Sequence, residues 1–277
     1  MTRRHSQARP QPGELAGDHE VDTGTASLVP DRADADGWSV VVNGVASSYV
    51  HLGDPTRLDF EYMQWTGHVL DVLAADAAPI DAVHLGGAGC TLARYVAATR
   101  PKSRQLVFEI DAALVTLARQ AFGLRGIRGL RIRAAEGRAG LASLTSDSAD
   151  VVVRDAFDGE SVPKHLTTVG FHREAARVLR PGGVYVANVA DTAAVRESRV
   201  EAAAAQVAFA EVALVAEPAQ LRGRRFGNVL VVASNRPLLE DQLVRRLAGG
   251  AVRARFVPPE RVAELVAGVR PREDPLG

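Results

Sequence analysis

The sequence predicts an α/β fold, in which a doubly wound, mostly parallel sheet of seven strands is preceded by a short β-hairpin. From about residue 80, apolar runs such as Val151–Val153 alternate with helical patterns, as expected when helices cover both faces of a sheet. A glycine-rich turn over residues 86–89 follows the first of these strands, which is typical of a Rossmann-like sheet. The last two strand patterns have no clear helix between them, so we expect a reversed, antiparallel final strand.

The N-terminal part of the chain divides into two predicted segments. Residues 1–36 are rich in Pro, Gly, Asp, Arg and Ser and have little apolar periodicity, so we expect a disordered tail there. Residues 37–57 are predicted to form the β-hairpin, because two β-prone runs flank Asn43-Gly44. Both residues of this pair tolerate the positive φ angles of a type I′ turn.

The main domain is predicted over residues 58–237 and begins with a helix near residues 59–75. Its predicted strands are residues 81–86, 105–110, 130–133, 150–154, 183–189, 211–217 and 226–233. Its further predicted helices are residues 89–99, 111–122, 137–144, 165–180 and 193–209. Pro181 and Gly182 end the fourth of these, because proline cannot continue a helix and glycine favours its C-terminus. Residues 238–277 are predicted to be a C-terminal helical extension.

Composition excludes several classes of function. Lys plus Arg and Asp plus Glu both number 33, so there is no electrostatic reason to expect nucleic acid or an anionic membrane as a partner. Cys90 is the only cysteine and the histidines lack metal-ligand spacing, so we expect neither a disulfide nor a metal site. No apolar run approaches the length of a membrane span, and the expected location is the cytoplasm.

Glycines or acidic residues follow four consecutive predicted strands. They are Gly86, Gly87 and Gly89 after the first strand, Glu109 at the end of the second, Glu136 and Gly137 after the third, and Asp155 after the fourth. In an open α/β sheet, ligands bind outside the carboxyl ends of the strands, and an acid at the position of Glu109 accepts hydrogen bonds from ribose hydroxyls. We therefore predict an adenosine-containing ligand. The alternative is that the glycines only pack a helix on a strand and the acids are ordinary surface residues.

The acidic rim also bears on the identity of this ligand. A dinucleotide requires a helix start that accepts pyrophosphate, whereas several carboxylates at the sheet edge suit a cationic sulfonium better. S-Adenosylmethionine or a derivative is therefore the favoured ligand, and a nicotinamide dinucleotide is the alternative.

Five segments in order resemble the spermidine/spermine synthase family, the polyamine aminopropyltransferases, which have the class I methyltransferase fold. They are LGGAGC at residues 85–90, FEID at 108–111, AAEG at 134–137, VVVRDAFDG at 151–159 and VLRPGGVYVANV at 178–189. Upstream, LDFEYMQ at residues 58–64 resembles the family's segment with an active-site tyrosine, and downstream RFGNVLVVAS at 225–234 resembles its final strand. The resemblance covers roughly residues 45–237.

The resemblance implies a role for each matching position. The cofactor-binding residues would be Gly86, Gly87, Gly89, Glu109, Ile110, Glu136, Gly137 and Asp155. Among them, Glu109 would hold the ribose hydroxyls and Glu136 would meet the adenine amino group, where the family usually has aspartate. Asp155 and Asp158 match the family's pair of aspartates, of which the second is the proposed base. Tyr62 would stand beside this base, and Asp155 would support it.

The implied reaction moves an aminopropyl group from decarboxylated S-adenosylmethionine, a co-substrate, to a small amine acceptor such as putrescine. The acceptor amine has a pKa near that of lysine, about 10.4, so it must lose a proton before it can attack. A carboxylate holds the ammonium, aligns it with the carbon beside the sulfonium and accepts the proton. The resemblance suggests a homodimer.

Three positions depart from the family pattern and leave the function open. Ala88 stands where the family has the aspartate that binds the amino end of the donor, Val50 where it has a glutamine, and Gln64 where it has a glutamate. The first hypothesis is an aminopropyltransferase-like enzyme, and the second is a methyltransferase that uses S-adenosylmethionine itself. The third is a non-catalytic, nucleoside-binding homologue.

Overall fold

The N-terminal region forms a four-stranded antiparallel sheet in the computed structural model, which describes residues 12–74, 76–192, 194–250 and 252–275. The strands pair in chain order and are β1 (Gly17–Val21), β2 (Gly24–Pro30), β3 (Gly37–Val42) and β4 (Val45–His51). The turn between β3 and β4 is the one that the sequence predicts. Asn43 and Gly44 have φ angles of 50° and 82°, both positive as a type I′ turn requires.

The prediction of a disordered tail over residues 1–36 is wrong for the part that the structure describes. Here β1 and β2 form a second hairpin, so the expected short hairpin is one half of a larger sheet. Residues 1–11 lie outside the described residues. The local apolar signal of the new hairpin is weak, because Val21, Ala26 and Leu28 are its only buried hydrophobic residues.

Long-range contacts of a polar turn explain why this hairpin forms. The Asp22 carboxylate accepts hydrogen bonds from the backbone N–H groups of Ala112 and Ala113, at 2.7 and 3.1 Å. Thr23 donates from its backbone N and its hydroxyl to Asp111, at 2.8 and 2.7 Å. The Asp22 carboxylate satisfies free N–H groups at the start of a helix about ninety residues further on, and Thr23 holds Asp111, the N-cap residue of that helix. No local sequence pattern could reveal contacts over this separation.

The second sheet is large and mostly parallel, with eight strands within the described residues. In spatial order they run β12-β10-β11-β9-β8-β5-β6-β7. The strands are β5 (Asp81–Leu85), β6 (Arg104–Glu109), β7 (Leu130–Ala134), β8 (Ala149–Arg154), β9 (Leu179–Asp191), β10 (Glu211–Ala216), β11 (Gly227–Ser234) and β12 (Arg255–Val257). Strand β11 runs antiparallel to both β9 and β10, which confirms the predicted reversed strand.

One strand of this sheet is missing from the sequence-based prediction. The C-terminal segment was expected to be helical, but β12 lies within it and pairs antiparallel with β10. The sheet therefore has eight strands where seven were predicted, and residues 238–277 are not purely helical. Three residues are too few to show an alternating pattern, so the pairing is decided by packing, with Phe256 and Val257 buried.

Helices cover both faces of the large sheet. They are α1 (Glu61–Leu73), α2 (Thr91–Thr99), α3 (Ala112–Ala121), α4 (Gly137–Ala142), α5 (Val169–Val178), α6 (Arg196–Gln206), α7 (Pro218–Leu221), α8 (Glu240–Gly249) and α9 (Pro259–Val266). Apolar residues of α5, α6 and α9 share one core with the sheet, and those of α1, α2 and α8 share another. A third core joins the N-terminal sheet to α3 and β7.

The topology brings the predicted site residues to one edge of the sheet. Strands β5 to β9 are parallel to one another, so the loops that follow them emerge at the same edge. Neighbouring loops are tied together there, since Ala135 N donates to Glu109 O at 2.9 Å and Asp155 N donates to Leu85 O at 2.8 Å.

Candidate active site

The glycine turn after β5 begins where two loops almost touch. Gly86 N donates to Phe108 O at 2.9 Å, and the φ angle of Gly86 is +91°. A Cβ atom at this position would lie 2.2 Å from Asp155 O, a distance that no side chain could accept. Gly86 is therefore needed to bring the turn against the loop after β8, which carries Asp155.

The Glu109 carboxylate is held by the backbone of the same turn. Its Oε2 accepts hydrogen bonds from Gly87 N at 2.8 Å and Ala88 N at 3.1 Å, and its Oε1 accepts one from Asp111 N at 3.2 Å. The turn's N–H groups are thus already paired with an anion, and a pyrophosphate would meet the negative charge of Glu109. A carboxylate has about four lone-pair sites, so it can still accept a hydrogen bond from a ribose hydroxyl.

Strand β4 of the N-terminal sheet packs on the far side of the glycine turn. Gly89 N donates to Ser48 Oγ at 3.1 Å, and a Cβ atom at Gly89 would lie 2.7 Å from a methyl group of Val50. Val50 is fully buried, so it serves packing and offers no hydrogen bond to a substrate. Ala88, with a φ angle of 34°, has only a methyl side chain and cannot bind an ammonium group.

Asp155, Tyr62 and Asn188 lie together beside this turn. Asn188 Nδ2 donates to Asp155 Oδ1 at 3.0 Å, and the Tyr62 side chain lies close enough to the same carboxylate for each group to shift the pKa of the other. Burial raises the pKa of Asp155 above its ordinary value, although the contacts with Asn188 and Tyr62 act against this shift. Burial, and then the charge of Asp155, raise the pKa of Tyr62 well above its ordinary value, so Tyr62 stays protonated.

Asp158 lies apart from this group, in an exposed turn. Its backbone exchanges two hydrogen bonds with Ser161, at 2.8 and 3.2 Å. The carboxylate that influences the pKa of Tyr62 is that of Asp155, and the expected position of Tyr62 beside Asp158 stays a prediction. Gln64 is half-buried on α1 and donates to Asp59 O at 3.3 Å.

Glu136 has a local structural role at the start of α4. Its carboxylate accepts hydrogen bonds from Arg138 N and Ala139 N, both at 2.8 Å, and contacts His165 Nε2 at 2.9 Å. Burial alone would raise its pKa, but these hydrogen bonds outweigh burial and lower the pKa of Glu136. Gly137 is the first residue of α4 and packs on Leu85 and Leu166. A contact between Glu136 and adenine stays a prediction.

An apolar surface lies next to Glu109 at the same sheet edge. Ile110 exposes 61% of its surface, although it directly follows a buried strand. Such an exposure is unusual for isoleucine, and an aromatic base lying on the side chain would cover it. Ile110 lies between Glu109 and the start of α3, and its contact with a cofactor stays a prediction.

A buried polar network that sequence reasoning missed lies behind Asp155. Arg154 and Glu201 form an ion pair with both side chains essentially inaccessible, and Arg154 Nη1 donates to Asn188 O at 2.7 Å. Tyr185 OH donates to Glu201 Oε1 at 3.3 Å, and His172 Nε2 lies 3.7 Å from the same oxygen. The only available signal was polar residues inside apolar strands, such as Asn188 in the run from Val184 to Val189.

Within the described ranges, no group of three or more His, Cys, Asp or Glu side chains could hold a metal ion. In the same residues, no helix has both the length and the apolar character that crossing a bilayer would need.

No protein-family model matches the sequence. The polyamine aminopropyltransferase of Vibrio vulnificus is 27% identical over 188 residues, which is 67% of this chain and 61% of that protein. The chain therefore matches about three fifths of the length of this curated relative.

A solved structure decides the family. The crystal structure of a probable spermidine synthase from Corynebacterium glutamicum is 36% identical, with a TM-score of 0.89 over 95% of this chain and 98% of that one. This chain belongs to the spermidine synthase family. The alignment spans nearly the whole of both chains, so it includes the four-stranded N-terminal sheet as well as the large sheet.

The predicted methyltransferase-like fold of this spermidine synthase family member is also confirmed. Human methyltransferase-like protein 13, solved in complex with SAH, aligns with a TM-score of 0.55 over 78% of this chain and 97% of that one, at 19% identity. At this identity the likeness concerns the fold alone.

Proposed function

We propose that this protein transfers an aminopropyl group from decarboxylated S-adenosylmethionine to a small amine acceptor such as putrescine. The observation that carries the proposal is the Asp155 carboxylate beside the glycine turn, which accepts a hydrogen bond from Asn188 and lies close to Tyr62. This arrangement places a carboxylate suited to an ammonium group next to a turn suited to a nucleoside. Membership of the spermidine synthase family gives the same reaction class.

The nucleoside would bind at the ends of β5 to β7. Glu109 would accept hydrogen bonds from the ribose hydroxyls, and Ile110 would lie against the base. Gly87 and Gly89 allow the turn that would receive the ligand to pack closely on Val107 and on β4. Glu136 would accept a hydrogen bond from the adenine amino group with the lone pairs that its helix-capping bonds leave free.

The amine would attack from the side of the loop after β8. Its nitrogen forms a bond to the carbon beside the sulfonium, and the carbon–sulfur electron pair returns to sulfur, which leaves neutral methylthioadenosine. The ammonium proton passes to a carboxylate and then to water. Holding the ammonium in line with the leaving sulfur supplies orientation, and proton removal supplies general-base catalysis.

We assign the role of base to Asp155, whereas the sequence-based hypothesis gave it to Asp158. Asp155 is partly enclosed, has a raised pKa, accepts a hydrogen bond from Asn188 and lies close to Tyr62, which is the environment of a working base. Asp158 is exposed, and its role would be to attract the distal ammonium of the acceptor at the mouth of the site. The two assignments predict different mutant kinetics.

Ala88 favours a second candidate, a methyltransferase reaction with S-adenosylmethionine itself. The family's aspartate would hold the amino end of the decarboxylated donor, and the methyl side chain of Ala88 cannot do so. Without that carboxylate, the preference for the decarboxylated donor has to come from other contacts. A nucleoside-binding protein without catalysis is the third candidate, in which binding is retained and turnover is absent.

One experiment separates these three candidates. The protein is titrated calorimetrically with S-adenosylmethionine, its decarboxylated form and methylthioadenosine, and each donor is then incubated with putrescine and other amines. Preferential binding of the decarboxylated form with release of methylthioadenosine is the expected result. Release of S-adenosylhomocysteine would establish the methyltransferase, and binding without any product would establish the non-catalytic protein. If none of the three nucleosides binds, both enzyme candidates are wrong.

A further inference from the structure

A stretch of the chain next to β7 is strongly basic, although the whole chain has a net charge near zero. Residues 112–135 contain no acidic residue and no lysine, but they contain five arginines. The five are Arg119, Arg125, Arg128, Arg131 and Arg133, here called the arginine cluster. The cluster spans the end of α3, the following turn and β7, which is the edge strand of the large sheet.

Four members of the arginine cluster line one concave site of about 430 Å³, and Arg128 lies on the exposed turn between them. Leu124, Leu130 and Ile132 form the apolar part of the lining. Arg131 and Arg133 occupy alternate positions of β7, so both point to the same side of the strand, and both are exposed. A volume of this size is enough for an organic ligand.

None of the arginines in the cluster is neutralised by an acidic partner in the part of the chain that the structure describes. Within the described residues, ten arginines elsewhere form ion pairs with carboxylates, whereas none of the five in the cluster does. Arg199 and Arg245 also lack such a pair among these residues, but they are single residues on α6 and α8, whereas the cluster brings several unpaired guanidinium groups to one site. Arg119 makes a hydrogen bond to the backbone, from Nη2 to Ile132 O at 2.8 Å. The mutual repulsion of these guanidinium groups is therefore not relieved by a carboxylate of the described chain.

We propose that this concave site binds the phosphate groups of a small polyphosphate ligand, such as a nucleoside triphosphate. The planar guanidinium group forms paired hydrogen bonds to phosphate oxygens and keeps its charge at all physiological pH values. Several such groups around one cavity suit an anion with several charges better than a single carboxylate. Of the apolar lining residues, Leu130 and Ile132 are only half-buried, so the edge of β7 leaves some apolar surface beside the guanidinium groups.

An acidic region at the other end of α3 favours a small ligand over an extended nucleic acid. Asp22 binds the N-terminus of this helix, and Asp18 and Glu20 are exposed on the adjacent β1. Helix α3 has ten residues and is about 15 Å long, so these acids lie within reach of a long polyanion. A small ligand can stay on the arginine cluster, whereas an extended backbone would be repelled by the acids.

The test compares two double variants that lose the same charge. In one, Arg131→Gln and Arg133→Gln remove two exposed members of the arginine cluster. In the control, Arg199→Gln and Arg245→Gln remove two exposed arginines from α6 and α8. All proteins are titrated calorimetrically with ATP, tripolyphosphate and orthophosphate at low ionic strength and at about 0.15 M salt, where the Debye length is about 8 Å. Circular dichroism shows whether each variant is folded.

We expect ATP to bind to the wild type and the control, and its affinity to fall at least tenfold in the cluster variant. Equal binding of tripolyphosphate and ATP would assign an inorganic chain as the ligand, and tighter binding of ATP would assign a nucleotide. The proposal is overturned if ATP fails to bind, if orthophosphate binds equally well, or if both double variants lose affinity alike. It is also overturned if a single-stranded RNA oligonucleotide binds more tightly than ATP. None of these results depends on transferase activity, so the proposed function can fail or hold independently.

Discussion

The two halves of the candidate active site hold their carboxylates in different ways. In the nucleoside half, Glu109 is fixed by three backbone N–H groups, two of them from the glycine turn. In the amine half, Asp155 accepts a hydrogen bond from the side chain of Asn188 and lies close to the side chain of Tyr62. Backbone donors are retained as long as the fold is retained, whereas a single substitution can remove a side-chain donor. We infer that the nucleoside half tolerates sequence drift and that the amine half is where specificity and activity change.

The largest expected effect concerns the amine half. Asp155→Asn removes the group that accepts the proton, so kcat should fall by about 10²–10⁴, the usual contribution of general acid–base catalysis. Nucleoside affinity should stay nearly unchanged, because Glu109 does not contact Asp155 through any described side-chain bond. The matched variant Asp158→Asn should lower kcat less than about tenfold and act mainly on KM for the amine, since the attraction of an exposed carboxylate is screened by solvent. A greater loss of kcat in Asp158→Asn than in Asp155→Asn would return the role of base to Asp158.

The buried ion pair behind the amine half gives the next largest effect, this time on stability. Arg154→Met leaves Glu201 buried without its cation, which should lower the free energy of unfolding by about 3–5 kcal/mol. The double variant Arg154→Met/Glu201→Leu should recover most of this loss, because no uncompensated charge remains. Urea denaturation of both proteins measures the difference. Equal stability of the single and double variants would contradict the electrostatic explanation.

A smaller effect is expected in the nucleoside half. Glu109→Gln keeps the side-chain shape but removes the charge, so nucleoside affinity should fall by about 10- to 100-fold, in line with about 1.5–3 kcal/mol for hydrogen bonds to a charged group. The value of kcat at saturating donor should change little. Calorimetric titration with methylthioadenosine measures the affinity, with Glu160→Gln in an exposed loop as the control. Unchanged affinity would place the ribose away from Glu109.

The smallest expected effect is the pH dependence of the cap at Glu136. Its pKa is lower in the folded protein than its ordinary value of 4.5, so its stabilising contribution is present above pH 4.5 and is lost as the pH falls through the folded-state pKa. Glu136→Gln should therefore be less stable by about 1 kcal/mol near neutral pH, a typical value for an N-cap. The difference should shrink in acid. Thermal unfolding across pH measures it, and a constant difference would mean that the charge of Glu136 is not involved.

The sequence predicted the main architecture because its signals are local. The Asn43-Gly44 turn, the buried run of β8 and the glycine turn each lie within a few residues, and all three are found where expected. The hairpin of β1 and β2 was missed because its stability comes from contacts of Asp22 and Thr23 with a distant helix. Strand β12 was missed because three residues carry no periodicity.

The site was predictable to the level of the sheet edge but not to the level of hydrogen bonds. Parallel strands necessarily bring Glu109, Glu136 and Asp155 to the same edge, so their neighbourhood follows from topology. The partner of Tyr62 does not follow, since Asp155 and Asp158 are three residues apart and both lie after β8. Likewise, Arg154 and Glu201 are separated by 47 positions, and only the packing of α6 against the sheet brings them together.

The hydrogen bond from Gly89 to Ser48 makes the small sheet part of the ligand-binding apparatus. The turn that would receive the nucleoside packs between β4 and the large sheet. A ligand that orders this turn therefore also stabilises the contact between the turn and the small sheet. The two sheets should consequently unfold in a single cooperative transition. Amide protons of β4 should exchange with heavy water more slowly when a nucleoside is bound, even though β4 is built from residues before position 52. Truncation of the chain ahead of α1 would remove one wall of the binding site together with the sheet.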